Sequence, residues 1–315
     1  RRFKTIRRIS RGGLMFPIIP ANTVAEAAGN SEGIFGYGYA DASAAVSITN
    51  LVSNVGVVAD DVAGVGTARY SMAACEYGGD KGIFGFGYGS YAMTNLVSNT
   101  GVVGSDVAGV GSGRFALAAC GYGEDKGIFA FGKDLNVSPS LVSYKNLVSN
   151  SGVVASDAAG VGTGRRDLAA CEYGEDKGIF GYGDTGSNVS MTNLVSNSGV
   201  VASDVTGVGT ARRKLAACGY GGDKGIFGYG DTGSNTAITN LVSNVGVVTD
   251  DVAGVGTARQ HLAATQYGGD KGIFGYGLAD GDSSLTNLVS NTGVVASDVA
   301  GVGTIRAYLE ACSFN

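Results

Sequence analysis

The sequence is poor in several residue types on which common catalytic sites and membrane spans depend. Its 315 residues include no Trp, one His and three Pro, and only 16% are charged. A single His leaves little material for a catalytic triad or a His-rich metal site. The apolar run at residues 14–20 is too short, and too interrupted by Pro, to cross a membrane. The sequence therefore predicts neither a transmembrane segment nor His-based catalysis.

Glycine, in contrast, is abundant, with 55 copies in the chain. Each Gly inside a helix costs about 1 kcal/mol relative to Ala, so this content excludes a mainly helical fold. The chain is also 44% hydrophobic, and Gly does not recur strictly at every third residue. These two facts argue against a disordered chain and against a collagen-like one.

Charge is distributed unevenly along the chain. Six of the 22 Lys and Arg residues lie within the first eleven positions, while the whole chain has a net charge of −5. The acidic remainder argues against a nucleic-acid-binding surface. Residues 1–32 are predicted to be a flexible basic segment, and residues 33–315 one folded domain. The start of the chain resembles a secretory signal only weakly, which favours a cytoplasmic or virion-associated protein.

One sequence unit occurs six times, and this repetition is the main signal for the fold. The motif Gly-Ile-Phe-x-(Tyr/Phe)-Gly begins at Gly33, Gly82, Gly127, Gly178, Gly225 and Gly272. The motif Asn-Leu-Val-Ser-Asn begins at Asn50, Asn95, Asn146, Asn193, Asn240 and Asn287. An arginine follows Gly-x-Gly-x-x at Arg69, Arg114, Arg165, Arg212, Arg259 and Arg306.

Each unit is predicted to form four short antiparallel strands. In the unit that begins at Arg212 these are residues 215–220, 225–230, 238–243 and 246–252, separated by turns rich in Gly and Asp. Four strands within 40–50 residues are typical of a blade of a β-propeller. We therefore expect an all-β fold, a six-bladed β-propeller with four-stranded antiparallel blades.

The two ends of the repeat array predict how the ring closes. The first unit begins at its second strand, and the chain ends on an extra first strand at residues 309–314. The C-terminal strand is therefore expected to complete the N-terminal blade and leave no open edge. In the alternative, residues 24–28 fill that place and the last strand overhangs.

The second strand of each unit predicts how neighbouring blades pack. Strict alternation places Phe227 and Tyr229 on one face, and Ile226, Gly228 and Gly230 on the other. The aromatic face of one blade is expected to fill the hollow glycine face of its neighbour.

The unit resembles a kelch repeat and, less closely, the repeats of RCC1-like propellers. The likeness rests on Arg-x-x-Leu-Ala-Ala, then Gly-Ile-Phe-Gly-Tyr-Gly, then Thr-Asn-Leu-Val-Ser-Asn, and it covers residues 33–315. The unit departs from kelch where Gly228-Tyr229-Gly230 replaces the expected Gly pair and where the Trp of the fourth strand is missing. It is also similar to tandem repeats of uncharacterised phage and environmental proteins. The resemblance implies an architecture and transfers no binding residue.

Chemically capable side chains that recur in every unit are predicted to be structural. The five cysteines occupy one repeat position, which Thr265 fills in the remaining copy, so we expect buried reduced thiols rather than disulfides or a metal centre. A repeated aspartate is expected to cap a turn or pair with the repeat arginine rather than bind calcium. It occurs at Asp61, Asp106, Asp157, Asp204, Asp251 and Asp298. No cofactor and no metal is expected.

The copies differ from one another mainly at two places. These are the loop between the second and third strands and the two residues after the repeat arginine, which are expected to lie on the same face of the ring. Aromatic and charged residues of the kind favoured in recognition are frequent there. The candidate binding residues are Tyr70, Phe115, Arg166, Arg213, His261, Tyr308, Tyr88, Tyr91, Lys133 and Tyr144.

The leading functional hypothesis is a non-enzymatic binding or interaction module, monomeric, with a protein or glycan as ligand. The first alternative is a structural component of a virion or surface assembly. The second is a hydrolase or lyase with a site in the central funnel, which would depend on a copy-specific acid such as Asp134 or Asp167.

Overall fold

The computed structural model describes residues 32–40, 44–89 and 91–314, and all regular structure in these ranges is β-strand. Within this part of the chain, no helix is long and apolar enough to cross a membrane. The predicted basic segment, apart from its last residue, and the alternative strand at residues 24–28 lie outside the described residues.

The described residues form twenty-one strands, most of them four to eight residues long. They are β1 (Gly33–Gly36), β2 (Tyr39–Ala40), β3 (Ala44–Ala45), β4 (Thr49–Val52), β5 (Ala73–Tyr77), β6 (Lys81–Gly85), β7 (Thr94–Val97), β8 (Ala118–Tyr122), β9 (Lys126–Ala130), β10 (Lys145–Val148), β11 (Ala169–Tyr173), β12 (Lys177–Gly181), β13 (Thr192–Val195), β14 (Ala216–Tyr220), β15 (Lys224–Asp231), β16 (Asn235–Val242), β17 (Ala263–Tyr267), β18 (Lys271–Leu278), β19 (Asp282–Val289), β20 (Arg306–Ala307) and β21 (Glu310–Ser313).

Six three-stranded antiparallel sheets correspond to the six sequence units. Sheet 1 has the order β21-β1-β4, and sheets 2 to 6 are β5-β6-β7, β8-β9-β10, β11-β12-β13, β14-β15-β16 and β17-β18-β19. A seventh, small sheet has the order β20-β2-β3. In sheet 1 the C-terminal strand pairs with the first described strand, with Cys312 opposite Ile34. Strands from both ends of the described chain therefore share one sheet.

The fourth strand predicted for each unit is not a continuous strand in the structure. In the fifth unit, residues 246–252 pair with β16 through two isolated bridges, Val248 to Val242 and Val252 to Thr239, and form no continuous strand. Between these bridges the Asn240 side chain donates to the carbonyl of Thr249 and to Asp251. Asp251 also accepts hydrogen bonds from Thr210. Side-chain hydrogen bonds thus replace part of the backbone ladder, which leaves three regular strands per sheet.

Neighbouring sheets pack by placing a phenylalanine over a glycine. A Cβ at Gly228 of sheet 5 would lie 2.7 Å from Cζ of Phe274 in sheet 6, and the same contact joins Phe35 of sheet 1 to Gly275 of sheet 6. The predicted fit between an aromatic and a hollow face is therefore confirmed. Ala130 of sheet 3 occupies the glycine place in its copy and packs in one core cluster with Phe180.

The prediction that Phe227 and Tyr229 share one face is wrong. The β15–β16 register shifts between Gly228 and Gly230, and Tyr229 has a φ of 64°, so the strict alternation of side chains ends there. The Tyr229 ring lies 5.1 Å from that of Phe274 in the following sheet, whereas Phe227 contacts Tyr182 of the preceding sheet at 5.2 Å. A bulge therefore lets one strand send aromatic rings to both neighbours.

The repeat arginine is fully buried where two sheets meet. Arg165 donates from Nε to the Tyr182 carbonyl at 2.9 Å and from Nη2 to Oδ1 of Asn193 at 2.7 Å. Its guanidinium also lies 4.2 Å from the centre of the Phe131 ring, which belongs to the preceding sheet. Arg306 makes the equivalent contacts with Tyr37 and Asn50 of sheet 1.

The repeated aspartate completes this arrangement. Asp204 accepts a hydrogen bond from Nδ2 of Asn193 at 2.9 Å and from the Thr163 hydroxyl at 2.7 Å, and Arg165 Nη1 lies 3.8 Å away. The predicted turn-capping and arginine-pairing role is confirmed. Arginine, asparagine and aspartate together form a unit that we call the arginine clamp.

The close fit of Phe274 on Gly228 makes a testable prediction. Gly228→Ala is expected to lower the free energy of unfolding by about 1–3 kcal/mol, because the added methyl overpacks the interface without requiring a strained backbone. The reverse change at the matched place, Ala130→Gly, adds no atoms and is expected to cost less, about 0.5–1 kcal/mol. Denaturant unfolding measures both. Equal stability of Gly228→Ala and the unmodified protein would contradict this packing.

Candidate functional site

The two variable places of the repeat lie side by side, as the sequence predicted. The residue after each repeat arginine pairs with the start of the variable loop, through isolated bridges that join Arg166 to Asp184, Arg213 to Asp231 and Phe115 to Lys133. The sequence differences among the copies therefore collect at one end of the molecule, which we call the mouth.

A cycle of backbone hydrogen bonds organises the mouth. The second residue after each repeat arginine donates its N–H to the carbonyl of its equivalent in the preceding copy, over 2.8 to 3.0 Å. The cycle includes the bond from Ser71 to Tyr308, which joins the first of these residues to the last. All six residues have a φ between 52° and 58°, a conformation that L-residues adopt only at a cost in free energy. None of the six is Gly. They are Ser71, Ala116, Asp167, Lys214, His261 and Tyr308.

The mouth contains a cavity of about 390 Å³. Seven of the ten predicted binding residues line it, namely Tyr70, Tyr88, Phe115, Arg166, Arg213, His261 and Tyr308. The other three do not. The Tyr91 ring packs against Gly89. The backbone of Lys133 pairs with Phe115 and Leu141. The Tyr144 carbonyl accepts a hydrogen bond from the N–H of Phe131.

One side of the cavity is an arc of aromatic rings. Tyr70 stacks on Tyr88 with ring centres 4.9 Å apart and planes 19° from parallel. The rings of Tyr88 and Phe115 pack edge to face, with centres 5.1 Å apart. Tyr70 packs in the same way against Tyr308, with ring centres 5.8 Å apart, and against Tyr39, with ring centres 5.1 Å apart. We call these five residues the aromatic arc. Edge-to-face and stacked contacts hold the rings in a fixed arrangement.

The opposite side of the cavity is an arc of ion pairs, which we call the charged arc. Arg213 contacts Asp184 at 2.8 Å and Asp231 at 3.1 Å, and Arg166 contacts Asp184 at 3.3 Å. Lys214 Nζ lies 3.5 Å from Asp231. The cations are partly exposed, whereas the side chains of Asp184 and Asp231 are only 4% and 9% exposed.

Hydrogen bonds keep the two buried carboxylates ionised. Burial alone would raise the pKa of Asp184, but the Gly186 N–H and the guanidinium groups of Arg213 and Arg166 outweigh it, and the net pKa is lowered. The pKa of Asp231 is lowered against burial in the same way by the N–H of Gly233 and by Arg213. Both therefore anchor the cations above them at neutral pH.

The single histidine is part of the mouth but carries no charge at neutral pH. Burial, with nearby Lys214, lowers the pKa of His261 well below its usual range. Its ring lies 3.7 Å from that of Tyr308. Of the two acids on which the enzyme hypothesis depends, Asp167 lines the cavity, whereas Asp134 is 1% exposed and does not.

The ten candidate residues did not include Lys214, which lines the cavity, or three residues of the mouth that share one repeat position. Tyr39, Asp184 and Asp231 occupy the first variable-loop position, the place that Tyr88 and Lys133 occupy in their copies. Alignment of that single position across the six units would have found them, because each is the first residue after the Gly-x-Gly that ends the second strand.

Below the mouth, a collar of apolar side chains narrows the centre of the molecule. It lies around a cavity of only about 40 Å³ beneath the hydrogen-bonded cycle. The collar consists of Met72, Leu117, Leu168, Leu215, Leu262 and Leu309. A ligand in the mouth is thereby separated from the central channel.

The central channel is lined by the first strand of every sheet and carries the cysteines. All five thiols are buried and unpaired, as predicted, and burial raises the pKa of Cys218 to about 12. Glu76 and Glu172 also line this channel, and burial together with repulsion by Glu172 raises the pKa of Glu76. Among the described residues, no cluster of three or more His, Cys, Asp or Glu is placed to hold a metal ion.

Comparison with known proteins gives no relative from which to infer a function. No protein-family model matches the chain, and no curated protein matches it at a significant level.

The channel carboxyls predict how stability depends on pH. Burial raises the pKa of both Glu76 and Glu172 above the ordinary value of 4.5. The folded state then binds more protons than the unfolded state above that value, so stability falls as pH rises. Thermal unfolding at about pH 5 and about pH 8 should show this loss. The Glu76→Gln/Glu172→Gln variant, which removes two of the three buried channel carboxyls and leaves Glu310, is expected to lose less, and an equal loss would contradict the assignment.

Proposed function

We propose that the chain forms a kelch-like six-bladed β-propeller and acts as a non-enzymatic binding module. The C-terminal strand closes the ring, each blade has three regular strands with an irregular fourth segment outside them, and the mouth is the binding site. Its ligand is a protein or a glycan.

Three sets of contacts support this architecture. Phenylalanine packs over glycine from one sheet to the next and from sheet 1 back to sheet 6. Strand β21 pairs with β1, and Arg306 occupies an arginine clamp with Asn50 of sheet 1. The cycle of six backbone hydrogen bonds at the mouth passes through all six copies.

The observation that carries the binding function is the collection of copy-specific side chains around one cavity. The clamps, the Phe-over-Gly contacts and the channel thiols recur from copy to copy, whereas the mouth residues differ in almost every copy. Partly exposed aromatic rings and guanidinium groups around a concave surface are the groups that dominate recognition. A repeated scaffold with a non-repeated cavity fits a binding protein.

A structural role in an assembly is the second candidate, and the outer surface favours it. One valine per unit, at the same position of the irregular fourth segment, is 59% to 66% exposed. These are Val57, Val102, Val153, Val200, Val247 and Val294. A girdle of exposed apolar side chains is suited to lateral contacts with other proteins.

Truncation of the aromatic arc tests the binding function. The Tyr70→Ala/Phe115→Ala/Tyr308→Ala variant is expected to lose at least about tenfold in affinity for every ligand that the unmodified protein binds on glycan and protein arrays, because it removes three rings from the cavity. The matched control is Tyr91→Ala/Tyr144→Ala, which removes two aromatic rings that do not line the cavity. Unchanged array binding by the triple variant, with its fold intact by circular dichroism, would place the site elsewhere.

A further inference from the structure

We propose that the mouth binds an acidic saccharide, with a face of the sugar ring on the aromatic arc and its carboxylate on the charged arc. This inference rests on the proposed binding function and names the chemistry of the ligand.

The first argument is the sign of the charge that a ligand meets. The chain as a whole has a net charge of −5, yet the side chains of Arg166 and Arg213 are 33% and 32% exposed at the cavity. Two partner carboxylates, Asp184 and Asp231, are almost fully buried. The third, Asp167, lies 3.5 Å from Arg166, lines the cavity and is less exposed than either arginine, at 15%. Cationic groups therefore face the cavity in an otherwise acidic protein.

The second argument is the fixed orientation of those cations. Arg213 uses Nη1 on Asp184 and Nε on Asp231, and Nη2 takes part in neither contact. The carboxylates are themselves held by the backbone N–H groups of Gly186, at 2.6 Å, and Gly233, at 2.8 Å. A guanidinium held in this way offers a planar donor group of the kind that binds a carboxylate, and it loses little side-chain entropy on binding.

The third argument is the flat apolar surface on the other side of the cavity. Tyr88 is 47% exposed, and stacking on Tyr70 holds its ring in a fixed orientation at the cavity. The C–H face of a pyranose packs on such rings, while the hydroxyl groups of Tyr and Ser71 can bond to its hydroxyls. An apolar ring face and a carboxylate on one small ligand are the features of a uronic or a sialic acid.

The size of the cavity agrees with a short saccharide. Its volume of about 390 Å³ falls within the range of roughly 300–1,000 Å³ that small-ligand pockets span. The collar that includes Leu168 and Leu262 narrows the space below to about 40 Å³, so the ligand enters from the mouth and stays there.

The test compares each acidic saccharide with its own methyl ester. Trisaccharides of galacturonate, glucuronate and N-acetylneuraminate are titrated into the full chain by calorimetry, as free acids and as esters. At least one free acid is expected to bind about tenfold more tightly than its ester, and added salt is expected to reduce that difference. The comparison needs no variant, so a folding defect cannot obscure it.

Three variants then assign the contacts. Arg213→Gln is expected to abolish the preference for the acid and leave binding of the ester unchanged, whereas Tyr88→Ala is expected to weaken both forms. Lys133→Gln removes a cation that does not line the cavity, and its binding is expected to match that of the unmodified protein.

The proposal is overturned if no free acid binds, if acid and ester bind equally, or if inorganic phosphate displaces the saccharide at equal concentration, which would indicate a simple anion site. Its failure is distinguishable from failure of the binding function. If the acidic-saccharide test fails but truncation of the aromatic arc abolishes binding to the array ligands, the mouth is a binding site for uncharged ligands. If the truncated variant still binds the array ligands, both proposals fail.

Discussion

The buried guanidinium of the arginine clamp is the interaction on which the rest of the structure depends. A charged group between two sheets is stabilised when its donors find acceptors, since an unpaired buried charge costs several kcal/mol. Five of the six clamps have the bond from arginine Nη2 to asparagine Oδ1, which Arg212 and Asn240 lack. At Arg165 those acceptors are a backbone carbonyl and Asn193, with the Phe131 ring below and Asp204 beside it. Burial lowers the pKa of Arg165 only to about 10, so the group stays charged at neutral pH. Each clamp therefore fixes a strand junction, a loop and a neighbouring sheet at once.

This constraint explains why so much of the unit is repeated and why most of the variation lies at the mouth. Gly209 must remain Gly, because its φ is 75° and a Cβ there would lie 2.5 Å from Nδ2 of Asn240 in the clamp. One residue beyond the clamp arginine, the side chain leaves the interface and lies at the mouth. Arg165 and Arg166 are adjacent in sequence, yet the first is fully buried and the second lines the cavity. The scaffold and the site are thus separated by a single peptide bond.

The sequence predicted the parts of the fold that depend on short-range repetition. The first three strands of each unit, the packing of Phe274 on Gly228 and the buried thiols follow from spacing and parity within one copy, and comparison of the copies located the mouth. The orientation of Tyr229 could not be read from parity, because a bulge with a positive φ interrupts the strand. Arg166 and Arg213 of the charged arc were predicted, but their pairing with Asp184 was not, because it joins arginines from two different copies and depends on how the copies are placed in space.

The most direct measurement compares the unfolding free energies of Arg165→Met and Arg166→Met, two identical substitutions at adjacent positions. Arg165→Met leaves the Tyr182 carbonyl and Asn193 without a donor and is expected to lower stability by about 3 kcal/mol or more. Arg166→Met removes the contacts of a partly exposed side chain with Asp167 and Asp184, while Arg213 still holds Asp184, so its cost is expected to be about 1 kcal/mol at most. Equal losses, or a larger loss at Arg166, would contradict the separation of a repeated scaffold from a variable site.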